Sequence, residues 1–253
     1  MDRSQRNLIT HAHHPIAAPV SAARLRALVD RVVVPAGGRV VDLGCGHGLW
    51  LTEVLAGRPS AIGVGIDLDL PADTTGTAVA RGVAERVRWE QGDASTWSDG
   101  AFDLVLCVGA EHAFGGLEDT LTAVRRHLRP GGQVLLGVSI WEGRPSAAAQ
   151  AAVEAGPDDL PDLAGLFDRA RAHGFEPGYG HVSTLGEWDE YEFSWTGSLV
   201  AWALQEAAAG PDREEALGAA RDHRAAWVRG WRRELGFATV LLHDLDPAGA
   251  PTR

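Results

Sequence analysis

Three glycines, at positions 44, 46 and 48, carry the clearest chemical signal in this sequence. They lie in the segment VVDLGCGHG of residues 40–48, where an apolar run leads into a glycine-rich turn. The spacing of the following residues predicts a helix that begins near Leu49. Glycine lets a backbone turn sharply and approach a ligand without a Cβ in the way, and the first turn of a helix offers free N–H groups. The segment therefore predicts a loop that binds a nucleotide-like cofactor.

A dinucleotide-binding loop is the alternative interpretation of these glycines. Its fingerprint is GxGxxG, whereas this loop has the form GxGxG, with Leu49 where the third glycine would stand. An acid, Asp42, also lies two residues before the first glycine. A NAD-dependent oxidoreductase is therefore disfavoured, although it stays an alternative.

The elements that position this loop are short apolar runs alternating with helical stretches. A helix capped by Ser21 is predicted to run to Pro35, and predicted strands follow at 39–43, 61–66, 87–90, 104–108 and 134–140. Runs that are apolar on both faces suit strands covered by helices on both sides. Their alternation with helices predicts an α/β fold with a parallel, doubly wound sheet. Acids at the ends of neighbouring strands would then face the crevice where such sheets bind ligands.

These segments, in their order along the chain, resemble the class I S-adenosylmethionine-dependent methyltransferases. The first motif of that family is an apolar strand followed by DxGxGxG. The likeness continues through GVGID (63–67), QGDA (91–94), FDLV and CVGA (102–105 and 107–110) and LRPGG (128–132), so it covers roughly residues 38–140. It implies a mostly parallel, seven-stranded Rossmann-like methyltransferase sheet. It also implies S-adenosyl-L-methionine as the cofactor and S-adenosyl-L-homocysteine as the product.

The resemblance assigns roles to residues at the strand ends. Asp67 would bind the ribose hydroxyls, Asp93 and the next backbone N–H would meet the adenine, and Asp42 would position the amino group of the methionine portion. Strand-end aspartates also occur as helix caps or solvated turn residues, so that interpretation stays open. The predicted cofactor-binding set is Asp42, Gly44, Cys45, Gly46, Asp67, Leu68, Asp93, Ala94, Val108 and Gly109.

Candidate catalytic residues come from the loop after the fourth strand and from the amino-terminal leader. Methyl transfer mainly requires alignment and exclusion of water, and a base matters only if the acceptor must lose a proton. Glu111 and His112 lie where the family places residues that line the acceptor cavity. His112 is predicted to act as a general base or to orient the acceptor, and a loop histidine bonded to backbone is an equal alternative. The leader is expected to fold over the cofactor as a lid that brings His14 to the active site, whereas a solvated tail is the alternative for residues 1–10.

Neither the histidines of the leader nor the two cysteines predict a metal site or a nucleophile. His11, His13 and His14 fall within four residues, but no carboxylate accompanies them and no second ligand cluster is evident, so no metal is expected. Cys45 and Cys107 have no CxxC spacing and no partner that would lower a thiol pKa. They are interpreted as small buried loop residues of a protein in the reducing cytoplasm.

The second half of the chain is less regular and contains most of the nine tryptophans. Helices are predicted at 162–173, 187–209 and 212–235, and strands at 181–184 and 238–242, with the helical pair interpreted as an insertion packed on the sheet. Tryptophans at 188, 195 and 202 recur every seventh residue, which is first of all typical of packing. Aromatic walls with nearby carboxylates can also hold a flat or cationic substrate. The candidate acceptor residues are Trp141, Trp188, Tyr191 and Trp195.

The length and net charge of the chain limit its domain number and its partners. The 253 residues suit one methyltransferase domain, divided into a leader and helix (1–36), a cofactor-binding core (37–141), an acceptor-site elaboration (142–236) and a last strand and tail (237–253). A net charge of −11 is the wrong sign for binding nucleic acid. No apolar run is long enough to span a membrane. We therefore expect a cytoplasmic monomer or homodimer that transfers methyl groups to a small organic acceptor. A catalytically silent protein that binds S-adenosylmethionine is the main alternative.

Overall fold

The computed structural model describes residue 1 and residues 3–245, and a single seven-stranded sheet organises them. The strand order is β3-β2-β1-β4-β5-β7-β6. Strands β1 to β5 are parallel to one another, whereas β7 is antiparallel to both β5 and β6. The strand bounds are β1 Arg39–Leu43, β2 Ile62–Asp67, β3 Val87–Gln91, β4 Phe102–Val108, β5 Leu128–Trp141, β6 Phe175–Val182 and β7 Leu235–Asp244. The predicted α/β, doubly wound, mostly parallel fold is confirmed.

Helices cover both faces of this sheet. Their bounds are α1 Arg3–Thr10, α2 Ala22–Val29, α3 Leu49–Ala56, α4 Thr74–Ala80, α5 Leu117–His127, α6 Ala147–Val153, α7 Leu163–Ala172, α8 Leu185–Gln205 and α9 Pro211–Ala226. Alternate residues of a strand face opposite sides, so Val40 packs with α2 and α3 while Val41 packs with α5 and α7. The near-continuous apolar runs of the central strands follow from this burial on both sides.

Strands β1 to β4 agree with the sequence prediction to within two residues, but β5 begins six residues before its predicted start and the first predicted helix was too long. Helix α2 begins after Ser21, whose hydroxyl caps the backbone N–H of Arg24, and it ends at Val29 rather than at Pro35. The residue before a proline disfavours the helical region, and the N–H of Val33 donates instead to the side chain of Gln133 (2.6 Å). The segment before β1 is therefore drawn out of the helix by a contact with β5.

The second half confirms the helical insertion and corrects its bounds. Helices α8 and α9 lie between β6 and β7, and α8 begins with a capping box formed by Thr184 and Glu187. The helix predicted at 212–235 ends at Ala226 and passes into a π-helical turn, Trp227–Trp231. Strand β6 is longer than predicted because Pro177 and two glycines, which normally break a strand, lie at a register shift in its pairing with β7. Helix α6 was not predicted.

The leader is ordered against the insertion. A lid and a solvated tail were the two alternatives for this part of the leader. Residues 3–10 form α1, which packs on α8. Arg6 pairs with Glu215 of α9 (2.6 Å). A short polar helix has little intrinsic stability, so these tertiary contacts and not local propensity explain α1. Residues 246–253, most of the predicted tail, lie outside the described residues.

Candidate functional site

The glycine-rich loop after β1 lies tightly against the neighbouring strands. The backbone N–H groups of Gly44 and Cys45 donate to the carbonyl of Ile66 (2.8 and 3.0 Å), at the end of β2. A Cβ on Gly44 would collide with Ala110, and a Cβ on Gly48 would collide with the Trp89 ring. Gly44, Gly46 and Gly48 all have positive φ. Glycine is therefore required here both by the turn and by the close approach of neighbouring side chains.

A cavity of about 350 Å³ opens between this loop, the ends of the strands and the leader. Asn7 and Ala17 of the leader form part of its wall, and His112 lies in its lining. Asp42 and Cys45 are buried and do not line it. The other eight members of the predicted cofactor-binding set do line it, namely Gly44, Gly46, Asp67, Leu68, Asp93, Ala94, Val108 and Gly109.

The Asp67 carboxylate connects the end of β2 to the glycine-rich loop. Its Oδ2 accepts from the N–H of Gly46 (2.8 Å) and its Oδ1 accepts from the N–H of Asp69 (3.0 Å). A carboxylate oxygen can accept two hydrogen bonds, so each oxygen retains one acceptor position. This arrangement fits a ligand that presents two adjacent hydroxyl groups.

Asp93 is an exposed carboxylate in a turn after β3. Its Oδ1 accepts from the hydroxyl and the backbone N–H of Ser95 (2.7 and 2.8 Å), and these two bonds lower the pKa of Asp93. Oδ1 of Asp93 therefore acts as a solvated turn residue would, because it bonds within its own turn. Asp93 also lines the cavity.

Asp42 is a buried carboxyl beneath the glycine-rich loop. It is 1% exposed, and its Oδ2 has no hydrogen-bond partner. Burial, and secondarily the charge of Asp67, raises the pKa of Asp42 to about 8. An unpartnered buried carboxyl oxygen costs free energy, so the site favours a ligand that brings a positive charge or a donor.

The two candidates after β4 point in different directions. Glu111 accepts from the backbone N–H of Ser139 on β5 (3.0 Å) through Oε1, while its Oε2 is buried without a partner. Glu111 does not line the cavity. His112, in the same 3₁₀ turn, is exposed and does line it.

Four ring side chains from three distant segments meet beside the glycine-rich loop. We call His11, His14, His47 and Tyr191 the histidine cluster. The His14 and Tyr191 ring centroids are 5.3 Å apart, those of His11 and His47 are 5.7 Å apart, and Nε2 of His11 lies 3.4 Å from the Tyr191 hydroxyl. The structure therefore brings the predicted residues His14 and Tyr191 together.

Sequence reasoning missed His47, the fourth residue of the glycine-rich loop. Its Nδ1 lies 2.9 Å from Oδ1 of Asp73, while its Nε2 is buried without a partner. The pairing with Asp73, beyond β2, has no local sequence signal. The position of His47 inside the loop was the only available clue.

Burial favours the uncharged forms of three members of the histidine cluster, His11, His14 and Tyr191. It lowers the pKa of His11 to about 4 and also lowers the pKa of His14, whereas it raises the pKa of Tyr191. A neutral imidazole offers one donor and one acceptor, so the cluster presents hydrogen-bonding groups rather than fixed charge.

The predicted aromatic acceptor residues separate into two groups. Trp188 packs edge-on against Tyr191, with ring centroids 6.3 Å apart, next to the histidine cluster. Trp141 is buried at the end of β5 and donates to the carbonyl of Gly156 (3.0 Å), and Trp195 stacks on His223 at 4.1 Å. The structure therefore brings Trp188 and Tyr191 to the leader, whereas Trp141 and Trp195 lie in packing contacts elsewhere.

Most carboxylates of α8 are already paired within the protein. Asp189 forms two hydrogen bonds with Arg232 (2.8 and 2.6 Å), and Glu192 lies 2.6 Å from Nε2 of His223. Glu187 caps its own helix. These contacts leave little basis for a cationic acceptor held by this row of acids.

Both cysteines are buried with their pKa values raised well above normal, mainly by desolvation, as expected of thiols that do not react. Cys45 lies in the glycine-rich loop as predicted, whereas Cys107 lies within β4 and not in a loop. In residues 1 and 3–245, no group of three His, Cys, Asp or Glu side chains is arranged to hold a metal ion. The same residues contain no helix long and apolar enough to cross a membrane.

Comparison with known proteins identifies the family. A family model described as a methyltransferase domain matches residues 40–132. The uncharacterized protein YjhP of Escherichia coli (strain K12) is 30% identical over 196 residues, which are 73% of this chain and 76% of that protein.

Two solved structures extend this likeness to the whole fold and to the cofactor. Both are SAM-dependent methyltransferases in complex with S-adenosyl-L-homocysteine, and both are 28% identical to this chain. The one from Thiobacillus denitrificans has a TM-score of 0.83 and covers 96% of this chain and 98% of its own. The one from Geobacter sulfurreducens has a TM-score of 0.82 and covers 94% of this chain and 97% of its own. With the seven-stranded sheet and the glycine-rich loop, these matches show that the chain belongs to the class I S-adenosylmethionine-dependent methyltransferases.

Proposed function

We propose that this methyltransferase acts on a small organic acceptor, in a site closed by its own leader. The observation that carries the proposal is that Asn7 and Ala17 line the same cavity as Asp67 and Asp93. The volume of about 350 Å³ falls within the range typical of small-molecule sites and is assigned here to the cofactor, beside which the leader limits the space for an acceptor. A folded protein or a nucleic acid would have to displace the leader, which α1 anchors to α8 and α9.

The residues present fit S-adenosylmethionine at each part of the cavity. Asp67 has two acceptor positions for the ribose hydroxyls, Asp93 would accept from the adenine amino group, and the N–H of Ala94 would donate to the ring. Asp42 and Cys45 lie beneath the glycine-rich loop and do not line the cavity, so the unpartnered oxygen of Asp42 would act on the ammonium of the methionine portion through water. Gly44, Gly46, Leu68, Val108 and Gly109 would hold the cofactor through backbone and apolar contacts.

Methyl transfer then makes limited demands on the chain's own residues. When bound, S-adenosylmethionine supplies a methyl group on a sulfonium sulfur, which keeps the electron pair of the broken bond as the methyl carbon joins the acceptor. The protein has to align the acceptor and exclude water. Where the acceptor carries a removable proton, His112 and His14 are the candidate bases. Glu111 attaches the turn that contains His112 to β5.

Isotope transfer tests whether the acceptor is small. The protein is incubated with methyl-labelled S-adenosylmethionine and a cell extract separated into dialysable and macromolecular fractions. We expect a new labelled compound, distinct from S-adenosylmethionine, in the dialysable fraction and no label in macromolecules. Label in protein or nucleic acid would overturn the proposal, and binding without labelling of either fraction would favour the catalytically silent alternative.

Replacing His112 tests the predicted base. We expect His112→Ala to lower turnover by about 10²- to 10⁴-fold, the usual contribution of a general base, while the affinity for S-adenosylhomocysteine changes little. The measurement is kcat across pH together with calorimetric affinity. His173→Ala, on the far end of α7, is the control. Equal activity of His112→Ala and the wild type across pH would remove His112 from the chemistry.

A further inference from the structure

A second cavity, of about 420 Å³, lies against the leader and is separate from the cofactor cavity. Its walls come from residues 13–16 of the leader, from the first halves of α2 and α3, from the residue that follows α4, and from α8. Among the described residues none lines both cavities, so a molecule bound here would not receive the methyl group. Neither the family likeness nor the proposed function assigns a ligand to this space.

Two arginines of the second cavity converge on one carboxylate. Arg81 donates from Nε to Oε2 of Glu53 (3.1 Å), and Nε of Arg26 lies 3.5 Å from Oε1 of the same side chain. The terminal nitrogens of both guanidinium groups form no hydrogen bond to any described residue. One carboxylate thus offsets only one of the two positive charges. The free N–H groups of a guanidinium form a planar fork that matches a carboxylate, so this part of the cavity favours an anion.

Arg81 is the better placed of the two arginines. Its side chain is 26% exposed, whereas that of Arg26 is 65% exposed. Ion pairs between exposed side chains contribute little, because water and salt screen them. Partial burial therefore makes Arg81 the main contact for a ligand carboxylate, with Arg26 as the second.

The α8 side of the second cavity carries a negative charge instead. Glu190 lines the cavity and forms no hydrogen bond or ion pair with any described residue. Its charge opposes the lowering of the His14 pKa by burial, and His14 lines the same cavity. A ligand with a second carboxylate would bring a like charge towards Glu190, which is unfavourable.

The rest of the lining is largely apolar. Pro15 and Ile16 of the leader, Leu25 of α2 and Leu49 of α3 contribute it. Apolar surface that a ligand covers here is removed from water, which favours binding. A complementary ligand therefore has an apolar body and a single carboxylate.

The leader connects the second cavity to the cofactor cavity. Residues 13–16 line the second cavity, whereas Asn7 and Ala17 line the first. The leader is held from outside both cavities, because Ile9 of α1 packs on the apolar cluster around Leu199 of α8. A leader in this position completes the walls of both cavities, so a ligand in either cavity stabilises the same position. Two ligands that favour the same state of one element strengthen each other's binding.

We propose that the second cavity is an effector site for a small monocarboxylate with an apolar body, and that its occupancy strengthens cofactor binding through the leader. Arg81 and Arg26 bind the carboxylate, and Glu190 excludes a second one. The effector is not methylated. This inference does not depend on the nature of the acceptor, so label in macromolecules would defeat the proposed function and leave the effector site standing.

Calorimetry with matched probes tests the ligand class. The protein is titrated with octanoate, octanamide and octanedioate, and with the corresponding six-carbon compounds. We expect the monocarboxylate of at least one set to bind about tenfold or more tighter than its amide, which corresponds to about 1.4 kcal/mol for the charged contact. Failure of both monocarboxylates to bind, or equal binding of their amides, would overturn the assignment.

Two charge variants locate the ligand in the cavity. Arg81→Gln should weaken the monocarboxylate about tenfold and leave its amide within about twofold. Glu190→Gln should strengthen the dicarboxylate about threefold or more and change the monocarboxylate little, because the variant removes a like charge. Arg144→Gln, at an exposed position that lines neither cavity, should change none of them.

Affinity for S-adenosylhomocysteine shows that each variant is folded, and Arg26→Gln replaces Arg81→Gln if that affinity is lost. Unchanged binding of the monocarboxylate in the folded arginine variant would overturn the proposal. Unchanged binding of the dicarboxylate in Glu190→Gln would contradict the placement of its second carboxylate beside α8.

The effect on the cofactor is measured in the wild type and in Ile9→Ala, which loses an apolar contact between the leader and α8. A saturating monocarboxylate should raise the affinity for S-adenosylhomocysteine in both proteins, by about fivefold or more in Ile9→Ala. The gain is larger in the variant, because a leader that occupies its position less often leaves more for each ligand to stabilise. Arg81→Gln should lose the gain. Binding of the monocarboxylate without a gain in either protein would refute the effector role.

Discussion

Asp67→Ala is expected to weaken binding of S-adenosylhomocysteine about 10- to 150-fold, measured by calorimetry at constant pH. The carboxylate would accept from both ribose hydroxyls, and hydrogen bonds to a charged group contribute about 1.5–3 kcal/mol. The substitution also removes the acceptor of the Gly46 and Asp69 N–H groups, which hold the glycine-rich loop against β2. A loss of affinity alone would therefore not separate ribose binding from loop support.

A ligand lacking the 2′-hydroxyl makes this separation. The wild type should bind 2′-deoxy-S-adenosylhomocysteine clearly more weakly than the ribose form, whereas Asp67→Ala should bind the two forms about equally. Asp168→Ala, an exposed aspartate on α7, is the matched control and should behave as the wild type. If Asp67→Ala still discriminates between the two ligands as the wild type does, Asp67 acts on the loop and not on the ribose.

How far the sequence predicts this protein depends on the range of the interactions involved. The central strands β1, β2 and β4 carry their signal locally, because each is a short, mostly apolar run that is largely buried. The acids at 67 and 93 follow such strands directly, so their convergence on one edge follows from the topology of a parallel sheet. These features could be read from residues 38–140.

The parts that sequence reasoning missed depend on long-range contacts. Helix α1 is ordered by Arg6 and Glu215, which are separated by 209 residues. His47 is oriented by Asp73, and the first part of β6, before the predicted strand at 181–184, depends on its pairing with β7. No local period encodes such pairings.

The aromatic residues illustrate the same limit within one helix. Trp188, Tyr191 and Trp195 occupy adjacent turns of α8, and their residue types are similar. Tyr191 contacts His14 of the leader and Trp188 packs on Tyr191, whereas Trp195 stacks on His223 near α9. Residue type and spacing thus identified α8 as a source of site residues but could not choose among its faces.

The leader, the glycine-rich loop and α8 are joined by the histidine cluster. His11 and His14 come from the leader, His47 from the loop and Tyr191 from α8, and two of the ring nitrogens have no partner. Residues 14–17 of the leader line two cavities: Ala17 lines the one beside the glycine-rich loop, and residues 14–16 line a second one.

Binding of the cofactor is expected to release close to one proton near pH 7, and its affinity should rise with pH up to about pH 8. In the free protein the pKa of Asp42 is about 8, so the carboxyl is mostly protonated at pH 7. The ammonium of the ligand favours the ionised form, and binding therefore requires the proton to leave. Affinity should fall by up to about tenfold for each pH unit below 8, because each pKa unit corresponds to about 1.4 kcal/mol. Calorimetry in buffers of different ionisation enthalpy measures the proton directly.

Asp42→Asn should abolish that proton release, flatten the pH dependence and weaken binding at pH 8, while making the ligand-free protein more stable at pH 7. The raised pKa means that the folded chain holds a proton that the unfolded chain loses above about pH 4, so the stability of the wild type falls as pH rises from about 4 to 8. An amide cannot ionise, and removing this burden should stabilise the ligand-free protein by a few kcal/mol, or roughly several degrees in Tm. Asp168→Asn, the same change at an exposed position, should alter neither binding nor Tm.

The opposite signs of the two effects, weaker binding and higher stability, are the distinguishing result, because a merely structural Asp42 would change stability without changing proton release. Wild-type affinity that is independent of pH between 6 and 8 would refute the assignment of Asp42 to the ligand's ammonium.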